Sequence, residues 1–526
     1  MLAQQHIAGQ RRLVGGPAAK TDDRGEYRIA GLPPGTYLVY VPSAQNTVPA
    51  GTPAGPTLDE VTSSDALATQ LMFNSLGAPP RGDARLDLDP AARLVVGNYA
   101  TPPPPSGGRT FAYPMAFHPS AASPAGASAI TLGLAEERTG VDLTVQPEAT
   151  ARISGRVEGP AEVISRLLLR LVPVGLEELA TGSEAATTIV AGDGRFTFLN
   201  VPRGAYTIDA RRSTTEFVLE SSVPGAVLPS PPGITGGGGS NSGTFPSAPP
   251  GIGYVTRSRS GDDRYWSNAT VTVDAANVEN LVVTLHPGLK LSGRMVFEGS
   301  TRAIVTAPMA GGGAVGPGTV TTVRTPSPAT LPVVQVEPAG GDPTLGRHRS
   351  EVGVDATTTD RFTIDGLRPG EYVLRVPARA DRFSIRSITI GGEDYTHKPF
   401  DPATVRGLDD VVLTFTDRLT TLQGAVRDER GPVDDAAVIA FPVEREQWTK
   451  YGFSPVRVRA TPLSGTSSFV LRALPAGGYF VIAVDPSLIL AWQDPAFLDK
   501  AAGLATRVSL DWGGTATVDL QIARIR

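Results

Sequence analysis

One short phrase occurs four times in this chain at domain-sized intervals, and this repeat constrains the fold more than any other feature. A phrase repeated in this way indicates tandem modules. Because four modules would share the same backbone feature, we interpret it as part of the fold and not as catalytic chemistry. The copies are residues 32–37 (LPPGTY), 201–206 (VPRGAY), 367–372 (LRPGEY) and 474–479 (LPAGGY).

Three positions of the phrase recur in every copy: an apolar first residue, a glycine and a final tyrosine. Proline presets φ to about −65° and glycine accepts a positive φ, so the phrase predicts a tight connection between two strands. The apolar residue and the tyrosine are expected to point inward on either side. These positions are Leu32, Gly35, Tyr37, Val201, Gly204, Tyr206, Leu367, Gly370, Tyr372, Leu474, Gly477 and Tyr479.

Strand-like runs surround each copy. They are β-branched, aromatic and partly alternating, which is typical of strands with one buried face. The upstream runs are residues 26–29, 195–198, 361–364 and 468–471, and the downstream runs are 37–41, 206–210, 372–376 and 479–484. A second phrase, with a central glycine, opens modules at residues 151–157, 290–296 and 421–426. A third phrase closes them at residues 141–145, 281–285, 411–415 and 518–522.

These patterns predict an all-β chain of tandem Greek-key β-sandwich modules, transthyretin-like or immunoglobulin-like. Each closing strand runs almost directly into the next opening strand, so we expect an extended array with short joints. The predicted modules are residues 1–148, 149–287, 288–417 and 418–526.

Four segments rich in proline, glycine, serine or alanine lie inside the modules. We interpret them as loop insertions on the β scaffold, which either carry binding surface or are unstructured filler. They are residues 49–80, 101–108, 224–253 and 307–318.

Composition excludes several classes of protein. The net charge of −5 is small and of the wrong sign for a nucleic-acid binder. The chain has no cysteine, so disulfides and thiolate metal sites are excluded. No run of 18 apolar residues is present, so no membrane-spanning segment is expected.

The first module is unusual because its acidic turn arrives as early as Asp22. In the other modules an opening strand and a middle section precede this point. We therefore expect the front half of the first sandwich to be missing, through a fragment, a late start codon or an incomplete module. Exposed strand edges would be unfavourable, which favours the first two explanations. A signal peptide, which residues 1–20 do not show, would have been lost with that front half.

With these phrases assembled, the chain resembles the carboxypeptidase regulatory-like domain repeats of large secreted or envelope proteins in Acidobacteria and similar bacteria. The resemblance rests on residues 21–37 (TDDRGEYRIAGLPPGTY), 113–119 (YPMAFHP), 139–143 (TGVDL), 416–420 (TDRLT), 441–442 (FP) and 492–498 (WQDPAFL). It implies a transthyretin-like sandwich of about seven strands, related in shape to carbohydrate-binding-like folds. It also implies an extracellular, periplasmic or envelope location. In the peptidases that name the family, this domain lies beside the catalytic domain, so no catalytic residue is carried over.

Catalytic, metal and cofactor sites are not predicted. The five histidines, His6, His118, His286, His348 and His397, are far apart in sequence and form no zinc-binding pattern. The acidic pairs Asp22–Asp23 and Asp262–Asp263 lack the ligand spacing of a calcium loop, so an Asp capping its own turn is expected. The glycines at 236–239 precede no Lys–Ser/Thr pair, so they are interpreted as a linker.

Three of the four tryptophans, Trp448, Trp492 and Trp512, fall in the last module. Exposed indoles can stack on sugar rings, so these three residues are candidates for carbohydrate binding. The alternative is that they fill or border the core of that module.

The sequence therefore supports three functional hypotheses. The first is a non-enzymatic structural or adhesive protein of the cell envelope or exterior, whose partner is an unknown protein or polysaccharide. The second is carbohydrate binding by the last module. The third is an enzyme whose catalytic groups converge from distant parts of the chain.

Overall fold

The computed structural model describes residues 1–50, 85–95, 100–164, 167–179, 183–211, 215–221, 252–258, 265–274, 276–299, 333–352, 360–376, 383–463 and 465–525. These residues form two compact units. The first comprises Met1–Gln5 and Arg12–Gly288, and the second comprises His6–Arg11 and Leu289–Arg526. Strands dominate both units, which confirms the predicted all-β fold.

The strands up to residue 149 are short. One antiparallel sheet has the order β10-β3-β1-β2, and Tyr37 lies in β3. The strands are β1 (Leu2–Ile7), β2 (Gln10–Gly15), β3 (Gly35–Leu38), β4 (Tyr40–Val41), β5 (Gln45–Pro49), β6 (Arg85–Asp89), β7 (Ala92–Val95), β8 (Phe111–Ala112), β9 (Ala116–Phe117), β10 (Ile130–Leu132) and β11 (Glu148–Ala149), with a 3-10 turn at Pro124–Gly126.

Strands β1 and β2 correct one part of the expectation that the front half of the first sandwich is missing. Residues 2–15 supply two strands of the sheet that contains Tyr37, so the middle section of the module is present. The predicted strands at 26–29 and 141–145, in contrast, do not form. In the other modules the opening strand lies between these two runs, and no described residue of the first module takes that position.

The second module is a sandwich of two layers. Its smaller layer has the order β15-β12-β21, in which β12 is antiparallel to β15 and parallel to β21. Its larger layer begins β20-β16-β13-β14. The elements are β12 (Ala151–Glu158), α1 (Ala161–Ile164), β13 (Leu168–Pro173), β14 (Ala186–Ile189), β15 (Arg195–Val201), β16 (Gly204–Arg211), β17 (Thr215–Ser221), β18 (Ile252–Ser258), β19 (Tyr265–Trp266), β20 (Ala269–Val273), β21 (Val278–Thr284) and β22 (His286–Pro287), with a 3-10 turn at Glu177–Leu179.

The larger layer continues into strands that precede residue 148. Strand β14 pairs in parallel with β5, and β7 and β6 follow. A buried polar network lines this boundary, because Thr187 donates a hydrogen bond to the Asn46 side chain at 2.8 Å and Leu199 N–H donates to Thr47 Oγ1 at 2.9 Å. The Asn46 amide oxygen and the Thr47 hydroxyl thereby find partners inside the protein, whereas the Asn46 amide nitrogen is buried with no partner among the described residues.

The third module divides its strands differently. Its larger layer has the order β26-β27-β23-β31-β29-β30 and its smaller layer β25-β24-β28, because β29 pairs with β31. Strand β23 is antiparallel to β27 and parallel to β31. The strands are β23 (Leu289–Glu298), β24 (Gln335–Pro338), β25 (His348–Arg349), β26 (Glu351–Val352), β27 (Arg361–Leu367), β28 (Tyr372–Arg375), β29 (Ser384–Ile390), β30 (Glu393–Asp394) and β31 (Val411–Thr416).

The fourth module repeats the plan of the second. One layer is β33-β32-β36, with β39 and β40 parallel to β32, and the other is β35-β34-β37-β38. The strands are β32 (Thr421–Asp428), β33 (Gly431–Pro432), β34 (Ala437–Pro442), β35 (Arg459–Pro462), β36 (Ser468–Arg472), β37 (Gly477–Val484), β38 (Thr506–Leu510), β39 (Thr515–Thr517) and β40 (Leu520–Gln521). The helical elements are α2 (Pro495–Ala502) and 3-10 turns at Arg445–Trp448, Pro486–Leu488 and Ala491–Gln493.

Strand β34 is buried on both faces. Val438 and Ala440 point into the sandwich, whereas Ile439 and Phe441 point outward into a second apolar cluster with Leu498 of α2. Helix α2 begins at an Asp494 cap, whose carboxylate accepts a hydrogen bond from Ala496 N–H at 2.9 Å. The fourth module therefore has a helix-covered sheet that the sequence patterns did not predict.

Candidate functional site

The repeated phrase forms a hydrogen bond across the connection between two strands. The hydroxyls of Tyr37, Tyr206 and Tyr479 each donate to the carbonyl of the proline four residues earlier, at 2.5, 2.8 and 2.7 Å. All three rings are buried. The phrase therefore fastens the connection to the core by the same bond in three modules.

The third copy keeps the tyrosine but changes its partners, because Arg368 stands where the other copies have proline. Arg368 N–H donates to the Tyr372 hydroxyl at 3.3 Å, and this hydroxyl donates to Leu345 O at 3.3 Å. Burial raises the pKa of Tyr372 to about 12, although the Arg368 amide opposes the shift. The hydroxyl is thus a protonated structural donor.

The glycine of the phrase takes the predicted positive φ in three of the four copies. Gly204, Gly370 and Gly477 have φ values of 158°, 144° and 143°, whereas Gly35 has no positive φ. A Cβ at Gly477 would lie 2.5 Å from Arg457 Nη2, and one at Gly204 would lie 3.1 Å from the hydroxyl of Tyr206. The glycine therefore also provides room for a neighbouring side chain. The apolar first residue is fully buried in three copies, at Val201, Leu367 and Leu474, and Leu32 is half-buried.

The three candidate tryptophans of the last module lie in different surroundings. Trp448 is 3% exposed, and its indole N–H donates to Pro442 O at 2.8 Å. Trp492 is half-buried and its ring centroid lies 5.8 Å from that of Tyr451. Trp512 is half-buried in the turn between β38 and β39. Two of the three therefore retain accessible ring surface.

The first of the acidic turns singled out in the sequence is held by its own carboxylate. The Asp22 carboxylate accepts from Arg24 N–H at 3.0 Å and from Glu26 N–H at 2.8 Å, so it caps its own turn as predicted. Within the described residues, no group of three or more His, Cys, Asp or Glu side chains is arranged to hold a metal ion. Asp262–Asp263 and the glycines at 236–239 lie outside the described residues.

The insertions are described only in part. Residues 101–105 contain no helix or strand, and an isolated bridge joins Ser106 to Arg109. Most of the segment 49–80, and nearly all of 224–253, lie outside the described residues, as does all of 307–318. In the part of the chain that the structure describes, no helix is long and apolar enough to cross a membrane.

Two buried charged groups lie where the third and fourth modules meet inside the second unit. Glu337 of β24 is 1% exposed, and its carboxylate accepts from Phe453 N–H at 2.8 Å and Ser454 N–H at 3.0 Å. The Ser454 hydroxyl donates to the other carboxylate oxygen at 2.9 Å. We call Glu337, Arg375 and residues 451–454 the module joint.

Arg375 of β28 completes the module joint. It is 6% exposed and donates to Tyr451 O at 2.7 Å and to Ser454 O at 3.1 Å. Burial lowers the pKa of Arg375 to about 10, and Glu337 opposes this shift. Arg375 therefore stays protonated near neutral pH, and both side chains are held by backbone groups of the fourth module. The joint is therefore rigid and polar.

His397 lies in the electrostatic field of this region. Burial, followed by the charges of Arg457 and Arg375, lowers the pKa of His397 from 6.5 to about 4, and Asp394 and Glu444 oppose the shift. The imidazole is consequently neutral at ordinary pH. Neither the module joint nor this histidine environment was predicted, because partners 76–117 residues apart leave no local pattern.

Comparison with known proteins gives distant likenesses only. No protein-family model matches the chain, and no curated protein matches it. Among solved structures, the chain is similar to the TIE protein of Bacillus anthracis at 8% identity, with 93% of this chain and 75% of that chain covered and a TM-score of 0.13. It is also similar to GBS52, the minor pilin of Streptococcus agalactiae, at 14% identity, 44% and 94% coverage and a TM-score of 0.18.

A third likeness is to two B repeat units of the collagen-binding protein of Staphylococcus aureus. The identity is 11%, the coverage is 64% of this chain and 93% of that chain, and the TM-score is 0.16. TM-scores of this size carry no argument about function. The proposals below therefore rest on the residues of this chain.

Proposed function

We propose that this chain is a non-enzymatic, multi-module structural or adhesive protein of the bacterial cell envelope or exterior. The modules are proposed to be carboxypeptidase regulatory-like domains with a transthyretin-like plan. This assignment is supported by the phrases quoted above and by the common layer order of the second and fourth modules. The partner is proposed to be a protein or a polysaccharide.

One observation carries this proposal: the repeated polar groups are used to build and join modules. The tyrosine hydroxyls are held by backbone carbonyls four residues away. The buried carboxylate of Glu337 and guanidinium of Arg375 are held by backbone groups of the next module. Side chains whose hydrogen-bonding groups are occupied by the backbone in this way stabilise the fold. A catalytic site would instead keep its reactive groups free to contact a substrate.

Carbohydrate binding by the last module is a second candidate. It is favoured by Trp492 and Trp512, which keep part of their ring surface accessible. Such rings can stack on the apolar face of a sugar. Trp448, in contrast, is committed to the core by its burial and its bond to Pro442.

The proposed role is tested on intact cells and on the purified chain. Antibodies against the chain should label unpermeabilised cells, and external protease should remove the label. The purified chain should show no turnover of peptide, ester or glycoside substrates. A purely cytosolic location would overturn the envelope role. A hydrolase activity that one substitution within this chain abolishes would overturn the non-enzymatic role.

A further inference from the structure

The turn between β1 and β2 is buried, which is unusual for a hairpin turn. We call residues His6–Arg11, which belong to the second unit, the hairpin tip. Its turn residues Ala8 and Gly9 have φ values of 51° and 73°, as the two central residues of a tight hairpin turn require. Both residues are buried. Because turns normally lie at the surface, this burial indicates that the hairpin tip is docked on other residues of the second unit.

The hairpin tip is fitted to the backbone of the fourth module. Lys450 N–H donates a hydrogen bond to Ala8 O at 2.8 Å. A Cβ on Gly9 would lie 2.3 Å from Trp448 O and 2.8 Å from Thr449 Cα. Glycine is therefore required at Gly9 both by the turn and by the close approach of the two backbones.

The hairpin tip also contacts the third module. A Cβ on Gly341 would lie 2.5 Å from Ile7 Cγ2 and 3.7 Å from Phe453 Cε1, so Gly341 lies close to both the hairpin tip and the module joint. Lys450, whose N–H binds the hairpin tip, places its ammonium 2.6 Å from Glu371 Oε2 of the third module. The hairpin tip is thus attached to both modules.

One residue connects the docked hairpin tip to the module joint. Lys450 has a φ of 56°, in the left-handed region that residues other than glycine seldom adopt. Such a conformation persists only where the surrounding structure holds it. The bond to Ala8 O holds the Lys450 amide, and the backbone groups that bind Glu337 and Arg375 follow directly, in residues 451–454. Docking of the hairpin tip therefore acts on the segment that forms the joint.

We propose that the hairpin tip is a latch on the module joint. While the tip is docked, residues 449–454 keep the conformation that binds Glu337 and Arg375. When the tip leaves, Lys450 relaxes out of the left-handed conformation, the joint opens, and the third and fourth modules move independently. The joint is then a two-state element whose equilibrium the hairpin tip sets. This inference does not depend on the envelope role.

The latch is tested with Gly9→Asn in the full chain. Asparagine tolerates the positive φ of this turn, so the hairpin still forms, but its side chain collides with Trp448 O. Gly25→Asn is the matched control, because Gly25 has a φ of 82° and open space where a Cβ would lie. Amide hydrogen exchange, followed by mass spectrometry of overlapping peptides, should become at least about tenfold faster at residues 452–454 in Gly9→Asn and stay unchanged in Gly25→Asn.

The amides of residues 452–454 distinguish a latch from a passive contact. They donate to Ala339 O and to the Glu337 carboxylate and not to the hairpin tip, so loss of the tip contact alone would expose only the Lys450 amide. Faster exchange confined to Lys450 would overturn the proposal. Equal acceleration in Gly25→Asn, or acceleration that extends to strand β37, would also overturn it, because the effect would then be a general loss of stability.

Ile7→Ala is a second variant that leaves the turn intact. It removes the side chain that lies against Gly341, so exchange at residues 452–454 should become at least about threefold faster. Wild-type exchange in both Gly9→Asn and Ile7→Ala would show that the joint keeps its conformation without the hairpin tip, and the latch would be excluded.

Discussion

Removing the Glu337 carboxylate should uncouple the fourth module from the third. In Glu337→Ala, the amides of Phe453 and Ser454 lose their acceptor, and Arg375 loses the opposing charge. An unsatisfied buried donor costs about 1–3 kcal/mol, and breaking a buried charged arrangement costs about 3–5 kcal/mol. We therefore expect the free energy of unfolding of the second unit to fall by about 4 kcal/mol.

Glu337→Gln is a sharper variant of the same perturbation. Its amide oxygen can accept from both backbone amides, and its NH₂ group can donate to the Ser454 hydroxyl, which rotates to accept. Only the charge is lost, so the expected decrease is about 1 kcal/mol. Glu393→Ala, which removes an exposed carboxylate of the same module, is the control and should change stability by less than about 0.5 kcal/mol.

The assay is urea unfolding of the full chain followed by tryptophan fluorescence. Three of the four tryptophans lie in the fourth module, so the signal reports mainly on the second unit. With a slope of about 2 kcal/mol per M, a loss of 4 kcal/mol lowers the midpoint by about 2 M. If Glu337→Ala and Glu393→Ala unfold at the same midpoint urea concentration, the module joint is not what couples the two modules. If Glu337→Gln is as damaging as Glu337→Ala, the charge and not the hydrogen-bond geometry is responsible.

Three further outcomes are expected. Because the pKa of His397 falls from 6.5 to about 4 on folding, the unfolded state binds the proton first, and stability should drop by up to about 3 kcal/mol between pH 6.5 and 4. The free energy of unfolding of His397→Gln, measured over the same pH range, should lack this decrease. An equal decrease in the variant and the wild type would contradict the assignment to His397. Gly424→Ala should lower the free energy of unfolding by roughly 1–3 kcal/mol in thermal or urea unfolding, because its Cβ would clash with Val518 O. An unchanged free energy of unfolding would show that the two strands can separate enough to accept the methyl group. If the last module binds glycans, Trp512→Ala should reduce retention of the full chain on a glycan array, and unchanged retention would remove Trp512 from the site.

The repeated phrase and its flanking strands could be predicted because their information is local. A buried tyrosine and its proline partner are four residues apart, so the same letters recur wherever the bond does. The opening phrase was predicted for the same reason, since Gly155 and Val157 occupy one strand. Helix α2 also had a local signal, Asp494 followed by Pro495, which the β-strand patterns around it outweighed.

Non-local features could not be predicted. Strand β5 follows the first repeated phrase closely, yet it pairs with β14 about 140 residues later. Glu337 and Arg375 read as ordinary polar positions of half-buried strands, and their burial depends on a loop of the next module. A charged residue inside an otherwise apolar strand, as in residues 372–375 (YVLR), is the one signal that a search for the joint could use.

The parallel pairing of each opening strand with its closing strand has a mechanical consequence. In the last three modules these two strands lie side by side and run in the same direction. The chain therefore enters at one end of the pair and leaves at the other, so tension along the chain loads the shared hydrogen bonds in shear. Bonds loaded in this geometry must yield together, whereas an antiparallel pair pulled from one end opens one bond at a time.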